Sequence, residues 1–180
     1  MNTYIALLRG INVSGQKLIK MAHLKEVFET MPFGRVRTYI QSGNVLFESD
    51  DRNTDELCVR IERKLKEVYG FDVSVVIRSV GDLDAIIARN PFLVDMLKDG
   101  EKLYVSFLSK EPAAEAMEKL MSYRSEADDF QIIGREVYLL SRQGYGKSLI
   151  SNNFVEKKLG VIATTRNWET VNKLAVMGKE

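Results

Sequence analysis

Arg35-Val-Arg-Thr-Tyr-Ile-Gln-Ser-Gly-Asn-Val-Leu-Phe-Glu48 decides the fold, because two β-branched and aromatic runs are separated by a break containing glycine. Arg35 to Gln41 and Asn44 to Glu48 read as a hairpin closed near Ser42-Gly43, since glycine takes the positive φ that a tight turn needs. On the N-terminal side, Tyr4 to Leu8 alternates like a strand. A glycine-dotted loop then leads to Met21, Leu24, Val27, Phe28 and Met31, one face of a helix. On the C-terminal side, Asn53 with Glu56 forms an N-cap pair, and Leu57, Ile61, Leu65 and Val68 give the buried stripe of a second helix ending near Gly70. Val73 to Ile77 is the closing strand. The order is strand, helix, strand, strand, helix, strand.

The second half repeats that order. Ser79 and Asp82 open a connecting helix that Asn90-Pro91 ends. Lys102 to Leu108 reads as a strand, and Pro112 starts a helix carrying Ala113, Ala116, Met117, Leu120 and Met121. Phe130 to Ile133 and Glu136 to Leu140 form a hairpin around Gly134-Arg135. A helix from Ser148 to Leu159 stops at Gly160, a short strand runs near Val161 to Thr164, and Asn167 caps a last helix to Gly178. The fold class is α+β: two tandem ferredoxin-like (βαββαβ) units with antiparallel sheets, a connecting helix and a C-terminal helix. The expected boundaries are 1–78 for the first unit, 79–100 for the connector and 101–180 for the second unit. Both faces of the first strand of each half are fairly apolar, so neither sheet reads as fully solvated.

With 180 residues, 45% of them hydrophobic, the chain can bury a substantial core. The 26 basic and 25 acidic residues nearly cancel, which argues against a globally basic nucleic-acid binder and leaves any charged partner to a local patch. One cysteine, Cys58, makes no internal disulfide, and no leader or membrane-length apolar run is evident, so a cytoplasmic location is expected. A single histidine and a single cysteine argue against zinc and iron-sulfur sites, so no metal ligand and no cofactor are assigned.

Five strings carry a family resemblance: Arg9-Gly-Ile-Asn-Val13, Ile19-Lys-Met21, Thr38-Tyr-Ile-Gln-Ser-Gly-Asn-Val45, Glu156-Lys-Lys-Leu-Gly160 and Thr164-Thr-Arg-Asn-Trp168. The chain resembles the domain-of-unknown-function 1697 family over nearly its whole length. The resemblance implies a duplicated ferredoxin-like protein of bacterial type and carries over no activity, substrate or catalytic residue. Position 14 is serine where similar proteins often have a second glycine.

In a sheet of order 4-1-3-2, the end of the first strand lies beside the first hairpin. Arg9 and Asn12 are thereby brought toward Gln41, Ser42 and Asn44, with Lys17 and Lys20 on the intervening loop. In the second half, Lys147 on Arg142-Gln-Gly-Tyr-Gly-Lys-Ser148 is brought toward Arg166, Asn167 and Trp168. These ten residues without Lys20 are the candidate ligand-binding set. Arginine forks, lysine point charges and helix-start amides suit a small anionic or phosphorylated ligand, a nucleotide being one candidate. The competing structural reading is that the arginines pair internally, the asparagines complete turns and caps, and Trp168 fills core.

Other groups point elsewhere less strongly. Gly146-Lys147-Ser148 is only a fragment of a phosphate-binding loop, because Ser141 stands where the first glycine belongs. His23 and Cys58 read as structural, and Asp128 and Asp129 point to opposite faces of a strand. An enzyme acting on a phosphorylated metabolite would need a nucleophile and base that no motif supplies, so no catalytic residue is assigned. RNA or single-stranded nucleic-acid binding is a further alternative. It would stack bases on Tyr39 and on Tyr4, Tyr104 and Tyr138, which are expected on the sheet faces away from the helices. No membrane partner is expected, and the oligomeric state is not indicated.

Overall fold

The computed structural model describes all 180 residues. Its backbone divides into two compact units, Met1–Asp84 together with Leu174–Glu180, and Ala85–Lys173. In the first, β1 (Asn2–Leu8), α1 (Met21–Glu29), β2 (Gly34–Tyr39), β3 (Asn44–Ser49), α2 (Thr54–Tyr69) and β4 (Val75–Ser79) build a four-stranded antiparallel sheet of order β2-β3-β1-β4. α3 (Val80–Ala88) follows without a loop. Then β5 (Lys102–Leu108), α4 (Ala114–Met121), β6 (Asp128–Ile133), β7 (Glu136–Ser141), α5 (Asn152–Leu159) and β8 (Ala163–Asn167) give a second antiparallel sheet, β6-β7-β5-β8. α6 (Trp168–Met177) ends the chain.

Local chemistry sets these bounds. Asn53 caps α2 by accepting from the Asp55 and Glu56 amides, and Gly70 ends it at φ 78° in the left-handed region. Ser79 and Asp82 cap α3 reciprocally: the Ser79 amide donates to Asp82 Oδ2 at 2.8 Å and the Asp82 amide to Ser79 Oγ at 3.0 Å. α5 starts at Asn152, not at Ser148, because Ser151 supplies the cap to the Phe154 amide; Tyr145–Lys147 is a separate turn of 3₁₀ helix.

Tyr4, Ala6 and Leu8 of β1 face a core with Leu24 and Phe28 of α1, Phe47 of β3, and Leu57, Ile61 and Leu65 of α2. Leu108, Val137, Leu139 and Ala163 face Leu120, Val155 and Leu159 in the same way. The opposite faces are buried too: Ile5, Leu7, Leu46, Val76 and Arg78 in the first sheet, Leu103, Val105, Phe107, Tyr138 and Arg166 in the second. That double burial explains why alternation in β1 and β5 left no polar face to read.

The two sheets share one register. Ile5 lies opposite Leu46 and Arg78, and Val105 lies opposite Tyr138 and Arg166. The bonds Leu8 N–H to Gly43 O and Arg9 N–H to Ser74 O, both 2.9 Å, recur as Leu108 to Arg135 and Ser109 to Ile162, also 2.9 Å. Arg78 thus holds the position in the first sheet that Arg166 holds in the second.

The units differ from the boundaries 1–78, 79–100 and 101–180. The connecting helix α3 is shared between units, and the last turn of α6 belongs with the first. Several contacts fix that turn there. Lys179 Nζ donates to Asp84 at 2.7 Å, Arg35 Nη2 to the Glu180 main-chain oxygen at 2.8 Å, and Arg37 reaches the Glu180 carboxylate at 3.4 Å. Gly178 sits so near Val80 that an added Cβ would meet its Cγ2 at 2.4 Å. Gly178→Ala is therefore expected to lower unfolding free energy by about 1–3 kcal/mol in urea titrations, the usual cost of overpacking.

Candidate functional site

β1 ends in a corner assembled from three segments. The Leu8 amide bonds the hairpin at Gly43, and the next amide, Arg9, bonds Ser74 on the α2–β4 turn. Gly43 is demanded twice over: its φ is 88°, and a Cβ there would meet Ile11 Cδ1 at 2.7 Å. Asn44 is wholly buried and its Nδ2 donates to Tyr39 O and Ser42 Oγ, both at 2.9 Å. Asn12 Nδ2 donates to Ile19 O at 3.0 Å and Gln41 O at 2.8 Å, while its Oδ1 accepts from the Ile19 amide at 2.8 Å. Its carboxamide holds the 9–20 loop against the hairpin. Ser14 (φ 51°) and Gly15 (φ 72°) form the tip of a tight turn closed by the Gln16 amide on Val13 O, so serine occupies a left-handed position that glycine would take without strain.

Among the cations of this corner, Lys17 is tied to the α2–β4 turn. Lys17 Nζ donates to Asp72 O at 2.7 Å and lies 6.0 Å from the Phe71 ring centroid, with Lys66 at 3.3 Å from the Asp72 carboxylate. Arg9 is half-buried, while Lys20 and Gln41 are exposed. The structure therefore brings Arg9, Asn12, Lys17, Gln41, Ser42 and Asn44 together. It gives Asn12 and Asn44 to the backbone.

The second group lies at the opposite end of its sheet from the register equivalent of the first corner, where β7 and β8 finish. Lys147 is exposed. Arg166 is buried, donating to Thr164 Oγ1 at 2.8 Å and Thr165 O at 2.9 Å, and burial pulls its pKa down to about 10. Asn167 Oδ1 accepts from the Thr170 amide at 2.8 Å and so caps α6, whose first residue, Trp168, is partly exposed. Thr165 Oγ1 bonds Ser106 Oγ at 2.7 Å and Asn152 Oδ1 at 2.6 Å, which ties β8 to β5 and α5. The Thr164–Trp168 string is thus spent mainly on folding.

The family described as Protein of unknown function (DUF1697) matches residues 1–138. The chain belongs to this family. The match takes in the whole Arg9–Asn44 corner and ends before the Glu156–Gly160 and Thr164–Trp168 strings. The fold is similar to that of a conserved bacterial protein from Streptococcus pneumoniae, with a TM-score of 0.77 at 22% identity, covering 100% of this chain and 99% of the other. Comparison with curated proteins gave no match.

In this DUF1697 protein, the remaining candidates resolve into structure. His23 is exposed, its Nδ1 bonded to Tyr69 OH at 2.9 Å. Asp128 is buried and accepts from the Leu149 amide and Ser125 Oγ, while Asp129 pairs with Arg142. No three His, Cys, Asp or Glu side chains converge, and no helix is long and apolar enough to cross a membrane. Tyr4 and Tyr104 pack on the helix side of their sheets, contrary to expectation, because residues 4, 6 and 8 and their counterparts form the helix-facing row. Tyr138 lies on the other face, buried, with its hydroxyl on Ile86 O at 2.6 Å. Tyr4 and Tyr138 are buried, and Tyr104 is half-buried with its ring 5.2 Å from that of Tyr145. Arg78 was missed by sequence reasoning. Its signal is the shared pattern of arginine followed by a capping residue, Arg78-Ser79 and Arg166-Asn167.

Cys58 donates to Val75 O at 3.4 Å, and burial, aided by Glu62 and Asp55, pushes its pKa up to about 11. Labelling of the native thiol by a chromogenic disulfide at pH 8 is expected to be on the order of a hundredfold slower than in urea, and to quicken as pH approaches 11. Asn12→Ala removes three hydrogen bonds and, among residues with a side chain, one of the types that best tolerates φ 55°. A loss of about 2–3 kcal/mol in denaturant titrations is expected.

Proposed function

We propose that this protein binds a small anionic or phosphorylated ligand at the corner formed by the 9–20 loop, the 40–43 hairpin turn and the α2–β4 turn. We further propose that its units are tandem ferredoxin-like folds arisen by duplication, and that it works in the cytoplasm. The shared strand order and register support the duplication.

One observation carries the ligand reading. Of the five non-glycine residues with positive φ, four (Asn12, Ser14, Lys17 and Ile40) cluster at this corner. Left-handed conformations cost energy for such residues and persist where a particular geometry is being held. What this geometry holds is cationic: Arg9, Lys17 and Lys20 all lie on the loop that leads into α1. That helix has neither a side-chain cap nor an acidic residue in its first turn, whereas α2, α3, α4 and α6 each have an acid there. Its free amides and positive dipole end favour an anion. Arg9, Lys17 and Lys20 would neutralise charge, with Gln41 and Ser42 orienting the ligand. Lys147 with Asn167 and Trp168 forms a secondary position, and Arg166 serves stability.

Calorimetric titration with inorganic phosphate, sugar phosphates and nucleoside monophosphates tests this. Lys17→Met with Lys20→Met is expected to weaken the bound anion at least ~tenfold, about 1.4 kcal/mol, with little change in melting temperature. Arg166→Met is expected to do the reverse, lowering the melting temperature and sparing affinity. Unaltered binding in the double lysine variant, or no anion bound by the parent protein, would show the corner to be structural.

A further inference from the structure

We propose that the ligand of this corner is a nucleotide, its base stacking on the aromatic surface of Phe71, Tyr69 and His23 while Arg9 and Lys17 hold its phosphate. This rests on the anion reading above and narrows it to a class. The first unit carries two insertions that the second lacks. Ser74 and Ile162 are equivalent, since each accepts the amide one residue beyond β1 or β5. Counting back, the second unit passes from its left-handed helix-ending glycine, Gly160, directly to Val161, whereas the first inserts Phe71 and Asp72 between Gly70 and Val73. The connection from β1 to α1 likewise runs from Arg9 to Lys20, against Ser109 to Ala113 in the second unit. The two insertions touch each other: Lys17 of the longer loop contacts Phe71 and Asp72 of the longer turn.

The second unit is built without such an aromatic cluster. At the equivalent place the second unit has an open depression of about 380 Å³ lined by Ser109, Lys110, Glu156 and Gly160–Ile162, with no aromatic residue. In the first unit, Phe71 stacks beside Tyr69 with centroids 6.0 Å apart and planes at 24°, and His23 stands edge-on to Tyr69 at 5.4 Å. Tyr69 and Phe71 set part of their surface on the core and keep part open; His23 is exposed. A ring face already visited by the Lys17 ammonium is one that a base can take over, because stacking on an aromatic face suits any base. Phe71 and Ser74, where Arg9 is anchored, are three residues apart, at most ~11 Å along an extended chain. A nucleoside monophosphate spans that reach with its base at one end and its phosphate at the other.

The test uses the full chain, titrated by calorimetry with adenosine 5′-monophosphate, ribose 5-phosphate and adenosine. The nucleotide is expected to bind at least tenfold more tightly than either fragment. Phe71→Leu is expected to erase its advantage over ribose 5-phosphate while leaving the sugar phosphate's affinity unchanged. His23 is the only histidine, so its imidazole proton resonances report on the ring surface without any substitution. They are expected to shift with the nucleotide and not with ribose 5-phosphate, a readout that survives if Phe71→Leu fails to fold. Equal affinity for nucleotide and ribose 5-phosphate, with still histidine resonances, would overturn the base-stacking inference and leave the anion reading standing. Adenosine binding as tightly as the nucleotide would overturn the phosphate role, and no binding of any of the three would overturn both.

Discussion

The termination of β1 is the constraint on which the first unit depends. Consecutive amides at Leu8 and Arg9 are claimed by opposite neighbours, the hairpin at Gly43 and the α2–β4 turn at Ser74. The chain must then leave the sheet between them. Only a residue without a Cβ lets the hairpin come close enough, because Leu8 and Ile11 already fill the space beside Gly43. Asn12 completes the arrangement by answering backbone groups on both sides of the loop, groups that would otherwise be left without partners as the loop folds inward.

Rigid backbone of this kind has a chemical consequence. A loop pinned at Asn12 presents Lys17 in one place instead of many, so the entropy of ordering that cation is lost on folding and not on binding. The second unit, with the same strand order but shorter connections from β5 to α4 and from α5 to β8, gains no such loop and keeps an open depression in its stead. Polar side chains are buried in its core as well. Thr165 bonds both Ser106 and Asn152, and Arg166 is taken out of water at the cost of part of its basicity.

Much of the fold was legible because it is written in short-range chemistry. Ser42-Gly43 marked the first hairpin, Asn53 and Gly70 bracketed α2, and Ser79 with Asp82 announced α3 three residues apart. The start of α5 was misplaced because Ser148 and Ser151 are equally good caps by type, and only the spatial position of the Phe154 amide chooses between them. The candidate site was legible in location more than in roles. Asn12, Asn44 and Asn167 carry the same carboxamide whether it meets a ligand or a peptide group, and here each meets peptide groups. Tyr4 and Tyr104 were set on the wrong face since an apolar residue at every position of a strand gives period-two reading nothing to grip.

By itself, the sequence determined the element order, the antiparallel hairpins and the end of the first sheet at which Asn12 and Gln41 meet, because propensity, capping and turn chemistry act over a few residues. Only the tertiary structure decided which polar groups face water and which are buried, that Lys17 rests on Phe71 and on Asp72, the latter fifty-five residues away along the chain, and that Arg78 mirrors Arg166. Those outcomes depend on register between distant strands and on how far two loops project, and such quantities leave no mark in local composition.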